Sequence, residues 1–506
     1  MNRSHPLRSL RSLRSLRPLR SLRGLAPLAA GVSLTFVAAP AAAQAAPLPD
    51  SFVVGAWTFR PSLEVRVRGE YRRHPFDVGG QVYGPTAVLA EDYGTTLPRV
   101  TETQPGVKNQ YLVTERARLG LAVDRGPVTA AVTLQDARVW GDGGFARGAP
   151  SEPGLPSFAP HEAYLDLHTR AGRPVFLRVG RQKVSWGDGR LLGADEWSPT
   201  GRSLDAARCG FQLGDLDFEM LASMLAPPGR YPGPAAVTGP GTTAGAAPVK
   251  NLVEGSGAQL YGLDVAWHAL PLLNVEATAL ARVVREPSPS TLTPSSTFVL
   301  DARISGDRRG LRYALEGAYE LGKVASYGVN RDLRAYALAA RVGWETALPG
   351  HLTFGAEAAY ASGDQGGPKG TQRRFDPILP DEHTLLSPMS LFAWSNLMLL
   401  GGSLGVRPTE EVSLLAGYRY AALAQPGGRW TSAALAPIGA APTSGASSLG
   451  HEIDAAIKFA PWRAFEIDTG YGLFLRGSGA DAILLAAQRP ATLQHWVYLQ
   501  TTVRVP

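Results

Sequence analysis

The feature that most constrains this chain is an alternation of period two that sets an apolar face against a densely charged one. From Leu63 to Tyr71 the odd positions are Leu63, Val65, Val67, Gly69 and Tyr71, and the even positions are Glu64, Arg66, Arg68 and Glu70. Side chains of a strand point alternately to opposite faces, so each such segment presents one greasy and one ionic surface. Leu311 to Leu321, Phe465 to Leu473 and Val497 to Val505 repeat the pattern. A soluble sandwich buries one face and places mixed polar residues on the other. Strands with a charged second face throughout fit a wall between lipid and a water-filled interior.

The pattern predicts an all-β chain, a transmembrane antiparallel β-barrel of about 18 strands. They lie near 62–73, 111–124, 127–140, 160–170, 174–184, 202–213, 215–226, 257–268, 271–284, 297–306, 310–322, 331–346, 350–362, 393–407, 410–424, 449–460, 462–476 and 491–505. Most are longer than the strands of ordinary globular proteins and suit a tilted crossing of a hydrocarbon layer. The connections alternate in length. Two to four residues, as at Arg125-Gly126 or Pro408-Thr409, alternate with long segments such as 74–110, 185–201, 227–256, 363–392 and 425–448. Short periplasmic turns and long extracellular loops are the expected arrangement. No period of 20 to 50 residues argues for a propeller or solenoid.

The basic isoelectric point is a local effect. Arg3, Arg8, Arg11, Arg14, Arg17, Arg20 and Arg23 fall in an N-terminal stretch without acids, and the other 43 basic residues equal the 43 acids. This excludes a nucleic-acid reading built on net charge. Residues 1–45 read as a secretory signal: a basic region, an apolar stretch from Gly24 to Pro40, and small residues at Ala43-Gln44-Ala45. Residues 46–60 then form an N-terminal periplasmic segment and 61–506 the barrel. Cys209 is the only cysteine, which excludes an internal disulfide and a cysteine-based zinc site.

Charge cannot face lipid, so the ionic faces line the lumen. The inward set includes Arg66, Arg68, Arg116, Arg118, Arg178, Arg208, Arg282, Arg312, Arg334 and Arg419, with Glu64, Glu70, Glu276, Glu316, Glu357, Glu452, Asp454, Glu466 and Asp468. Guanidinium groups pair bidentately with carboxylates, whether of the wall or of a solute, and both readings stay open for each arginine. Tyr71, Trp140, Trp186, Trp197, Trp267, Trp344, Trp462 and Trp496 fall near strand ends, where interfacial aromatic belts form. The histidines show no metal spacing, and Asp364 lies in a glycine-rich loop with few acids to help it hold Ca²⁺. No Ser-His pair or isolated carboxylate pair assembles, so the chain reads as no enzyme and needs no cofactor.

The most distinctive stretch runs from Arg178 to Arg208. Gly180, Arg181, Gln182, Gly187, Arg190, Gly193, Trp197, Arg202, Ser203, Asp205, Ala206 and Arg208 resemble the signature of the alginate export family. Tyr360 to Asp364, Phe375 to Pro380 and Gly450 to Asp454 resemble later blocks of that family, in the same order. The resemblance implies an 18-stranded outer-membrane barrel of a Gram-negative bacterium, with an arginine-rich lumen that passes anionic uronate polysaccharide. The chain departs from such barrels in ending on Pro506 rather than an aromatic residue.

The expected function is a passive channel for anionic, alginate-like polysaccharide or small acidic solutes. Arg66, Arg116, Arg118, Arg178, Arg181, Gln182, Arg190, Arg202, Asp205, Arg208 and Arg312 are the candidate solute contacts. The expected partners are outer-membrane lipid, the anionic solute and periplasmic export components, with no nucleic acid, around a monomer. The alternative is a non-conducting surface barrel plugged by its loops, with the Gly- and Pro-rich segments 227–256 and 425–448 folding inward.

Overall fold

The computed structural model describes residues 50–74, 109–140, 158–169, 174–226, 229–232, 252–255, 257–270, 273–284, 295–326, 329–366, 369–381, 383, 385–435, 437–439, 444–484 and 493–505. The signal segment 1–45 and most of loops 74–110 and 227–256 lie outside the described residues.

Eighteen long strands form the wall. In chain order they are β1 Trp57–Arg73, β2 Asn109–Arg125, β3 Val128–Val139, β4 Ala159–His168, β5 Val175–Gln182, β6 Leu204–Leu213, β7 Leu216–Ala226, β8 Ala258–Leu270 and β9 Leu273–Val284. They continue as β10 Ser295–Arg308, β11 Leu311–Ser326, β12 Val329–Glu345, β13 Thr353–Ala361, β14 Leu397–Val406, β15 Val412–Leu423, β16 Ser448–Trp462, β17 Phe465–Arg476 and β18 Leu493–Val505. Each strand pairs antiparallel with its sequence neighbours, and β18 returns to β1 with Leu63 opposite Val505 and Tyr71 opposite Val497. Closure leaves the long strands no free edge, so every ladder can be satisfied inside a medium that offers no hydrogen bonds.

The expected strands correspond one to one with β1–β18. Boundaries moved at Trp57, where the first strand begins earlier, and at Leu397, where β14 begins later. The outer face is apolar: Leu119, Leu315, Leu338, Leu400 and Leu499 are all more than half exposed. An aliphatic band this exposed is the surface that lipid covers.

The inward column of β12 shows what the alternation alone did not. Leu333, Ala335, Ala337 and Ala339 are buried, and Arg341, Gly343 and Glu345 follow on the same face. From Leu333 onward this column is therefore apolar toward the long loop and ionic toward the short turn, whereas β1 keeps Arg68, Glu70 and Arg72 inward at its long-loop end. The apolar part packs against an internal core. Phe375, Ile378, Met389, Leu391, Phe392 and Trp394 come from the segment 362–396, and Trp186, Leu191 and Leu192 from the segment 183–203. Trp430 and Ile438, on a short hairpin between β15 and β16, join the same core, as does Ile483 on the short helix α1 (Ser478–Ile483).

Of the two segments expected to fold inward, 425–448 contributes Trp430 and Ile438 to this core, and most of 227–256 lies outside the described residues. Residues of 183–203 and 362–396, which were not expected there, supply most of the core in the upper lumen. Arg334 also departs from the expected inward set. It alternates with buried Leu333 and Ala335 and faces outward at the end of β12. Trp186, Trp197 and Trp496 lie inside the lumen rather than in a belt, whereas Trp140, Trp344 and Trp462 are exposed outside.

Candidate functional site

Two loops enter the lumen as one body. Leu192 and Leu379 form a parallel bridge, the Gly193 amide donates to the Leu379 carbonyl at 2.8 Å, and the Leu379 amide donates to the Leu191 carbonyl at 2.9 Å. Arg202 adds hydrogen bonds from Nη1 to the carbonyls of Gly193, Leu379 and Pro380 at 2.8–2.9 Å. Trp197 stacks on His383 with centroids 3.6 Å apart, and Tyr498 of the wall meets Trp197 edge-on at 5.2 Å. Burial, with Arg68 and Arg72 adding to it, holds His383 well below its ordinary pKa, so this ring is neutral. Backbone shape matters at two glycines. Gly201 has φ +68° beside the Arg118 guanidinium, and Gly262 of β8 leaves the room that the Trp186 ring occupies.

The basic wall of β1 and β2 clamps the first loop. Arg66 lies opposite Arg116, and Glu64 opposite Arg118. Arg66 donates to the carbonyls of Glu196 and Ser198, both at 2.6 Å, and Arg68 donates to the carbonyl of Trp197 at 2.7 Å. Arg116 pairs with Glu64 at 2.6 Å, and Arg118 pairs with Glu196 at 2.7 Å while donating to the Thr200 carbonyl. Among the described residues no carboxylate pairs with Arg66; main-chain carbonyls hold it. Burial raises the pKa of Glu196, but Arg118, Lys183 and Arg116 outweigh it and bring the value to about 2.

The opposite wall carries more acid. Arg208 pairs with Glu219 at 2.6 Å, and Glu219 also accepts from the Trp186 indole at 2.6 Å. Arg190, carried into the lumen by the loop, pairs with Glu316 at 3.0 Å. Asp188 comes from the same loop. Its two oxygens pair with Arg303 and with Arg341, each at 2.7 Å. Below this bridge lies a cavity of about 530 Å³ on the short-turn side, lined by Arg303, Arg312, Tyr313, Arg341, Glu345 and Ser403 among others.

Most of the sequence-predicted residues reach the lumen, but they do not form one site. Arg66, Arg116 and Arg118 clamp the loop. Arg178 pairs with Asp166 at 2.5 Å and Arg208 with Glu219, both on the wall. Arg190 and Arg202 belong to the inward loops. Gln182 is fully buried and donates to the Ala206 carbonyl at 2.9 Å. Arg312 stands at the mouth of the cavity, paired with Asp307 and Glu345. Arg181 and Asp205 face away from all of these. Arg181 alternates with Gly180 and Gln182, and Asp205 lies opposite Met224, which is exposed on the outer face. They pair with each other at 3.2 Å on the outside of the barrel. Their placement outside corrects the expectation of a lumen role.

Sequence reasoning did not select Asp188, Glu196, Arg303 or Arg341. The available signal was the apolar content of 375–394, with Phe375, Ile378, Leu386, Met389, Leu391, Phe392 and Trp394. A solvated loop does not carry that many large apolar residues, so the segment had to find a core. Among the described residues no group of His, Cys, Asp and Glu suits a metal ion. Asp364 instead accepts from the Gly366 and Arg373 amides and faces Arg331.

A family model described as alginate export matches residues 98–229 and 288–491, more than half of the chain. The protein belongs to the alginate export family. Its fold is shared with solved porins. OccK9 (OpdG) of Pseudomonas aeruginosa superposes with a TM-score of 0.52 at 10% identity, over 88% of this chain and 98% of that one. OccAB2 of Acinetobacter baumannii gives 0.51 at 10% identity, over 88% and 98%. OccK2 (OpdF) of Pseudomonas aeruginosa gives 0.51 at 9% identity, over 88% and 97%. At these identities the likeness speaks for the barrel alone. Among curated proteins no match was found. An alginate export family barrel of this kind is an outer-membrane channel of a Gram-negative bacterium. Its fold and family are those of transport porins rather than enzymes.

Proposed function

We propose that this channel passes acidic saccharides of the alginate type, or smaller carboxylates, by exchanging their carboxylates against those of its own loop. The supporting observation is the Asp188 carboxylate seated between Arg303 and Arg341 above the cavity. Withdrawing Asp188 on its own leaves Arg341 without this partner and Arg303 with Glu276 alone, at 2.5 Å, so the site loses one negative charge. A solute carboxylate arriving from the cavity takes its place, so the charge in the site is unchanged and the loop is free to move. Several such arginine sites of modest strength favour entry without trapping the solute. No cofactor enters this scheme.

A second reading has its own observation. The core of segments 183–203 and 362–396, clamped by Arg66, Arg68, Arg116 and Arg118, supports a plugged, non-conducting barrel.

Planar-bilayer recordings under a salt gradient separate the two. The proposal expects anion selectivity, block by uronate oligomers, and a larger conductance when residues 185–201 are deleted. Cation selectivity would count against it. A barrel that stays silent after the deletion, while still folded, would establish the scaffold reading.

A further inference from the structure

The wall sheet carries one further strand at the periplasmic rim. A short strand, Phe52–Val54, pairs with the start of β1, setting Phe52 opposite Phe59 and Val54 opposite Trp57. β18 stops above it, with its last residue Val505 opposite Leu63. The hairpin therefore occupies the place beneath the end of β18, while Thr58 keeps Asp124 of β2 on its other side.

We propose that this hairpin, with the turn between β16 and β17, is a docking surface for anionic phospholipid of the periplasmic leaflet. The register places Phe52, Val54, Trp57 and Phe59 on the same outward face as Leu63. Phe52 and Phe59 stack with centroids 5.0 Å apart and planes 7° apart. Phe52, Val54 and Trp57 are 48%, 59% and 41% exposed among the described residues. The patch is continuous with the lipid-facing residues Leu63, Leu119 and Leu121, which places it where the hydrocarbon gives way to headgroups.

Cations stand at that depth. The Arg125 guanidinium lies 4.7 Å from the centre of the Trp57 ring, on the outward face of β2. Arg463, whose side chain is 84% exposed, pairs with Asp50 at 3.5 Å, and beside it Trp462 contacts Phe465 at 5.8 Å. Amphipathic rings flanked by guanidinium groups match the boundary between acyl chains and phosphates. An added protein strand fits less well. The free edge of Phe52–Val54 is three residues long, too short to hold a partner by backbone pairing, and the exposed area is on the face rather than the edge.

The test uses the full chain in bilayers that contain phospholipids brominated near the glycerol end of the chains. The Trp57 signal is obtained as the difference between wild type and Trp57→Phe, and heat-modifiable migration on gels confirms that each variant is folded. Bromine on the lipid is expected to quench that signal, and aqueous iodide to spare it. In mixed bilayers a brominated anionic lipid should quench about twice as strongly as a brominated zwitterionic one, reflecting its local enrichment. The preference should vanish in Arg125→Gln/Arg463→Gln. Quenching by iodide alone would overturn the proposal and leave the patch facing the aqueous periplasm, open to a protein. Equal quenching by the two lipids in the wild type would overturn the headgroup preference.

Discussion

The Asp188 carboxylate reaches Arg341 across the lumen at 2.7 Å and forms the floor of the inward loop. Its other oxygen meets Arg303, which Glu276 of the wall also holds at 2.5 Å, so one acid of the loop bridges two arginines of the wall. Three consequences concern this loop, a fourth the outer face and a fifth the internal core.

Asp188→Asn keeps the shape of the loop and removes the competing charge. An occupant that holds a site lowers the apparent affinity of any other ligand by the fraction of time it is present. Uronate oligomers are therefore expected to block or bind about tenfold more tightly in the variant, with stronger anion selectivity. Reversal potentials and titration of the block in planar bilayers measure both. Unchanged affinity would place the solute path elsewhere.

Arg66→Gln tests the clamp. Arg66 gives two hydrogen bonds of 2.6 Å to loop carbonyls from a buried position. Hydrogen bonds from charged donors contribute roughly 1.5–3 kcal/mol each, so losing both should weaken docking of 196–200 by about 3–6 kcal/mol. Hydrogen exchange should show faster labelling of the Glu196–Thr200 amides, with β1 and β2 unchanged. Equal protection in both proteins would mean that the internal core alone holds the loop.

Acid should loosen the same clamp. Glu196 titrates at about 2 in the folded protein against an ordinary value of 4.5. Its contribution is full above about pH 4.5 and is lost as the pH falls toward 2, where the carboxylate protonates and Arg118 loses its partner. Current noise or susceptibility of the loop to an acid protease should rise over that window and stay flat from pH 5 to 8. His383, already neutral through burial, adds no step in the neutral range.

Arg181→Gln and Asp205→Asn examine the outer face. The pair sits among outward residues and does not border the lumen. Selectivity and conductance are expected to match wild type within experimental error, since exposed pairs contribute about 0–1 kcal/mol even to stability. A changed reversal potential would show that the alternation slips at Gly180.

The internal core can be weakened apart from the wall. Leu391 is fully buried within the inward segment. Leu391→Ala should cost about 2–5 kcal/mol of packing. The closed ladder of β1 to β18 does not depend on it. Loop protection should fall while heat-modifiable migration of the barrel is kept.

The chain by itself determined the wall. Period-two alternation is a local property, because each residue's face follows from its neighbours' faces. Leu63 to Tyr71 could therefore be read as a lipid-facing and lumen-facing strand without knowing any partner. The alternation of short and long connections set the orientation of the strands in the same way. What occupies the lumen was decided only in three dimensions. Asp188 meets Arg341, Arg66 meets the carbonyls of Glu196 and Ser198, and Trp197 meets His383, all through contacts between distant segments. A loop turns inward because its apolar residues gain more from a shared core than its backbone loses by leaving water. That balance belongs to the assembled loops and wall together, and no single stretch of sequence contains it.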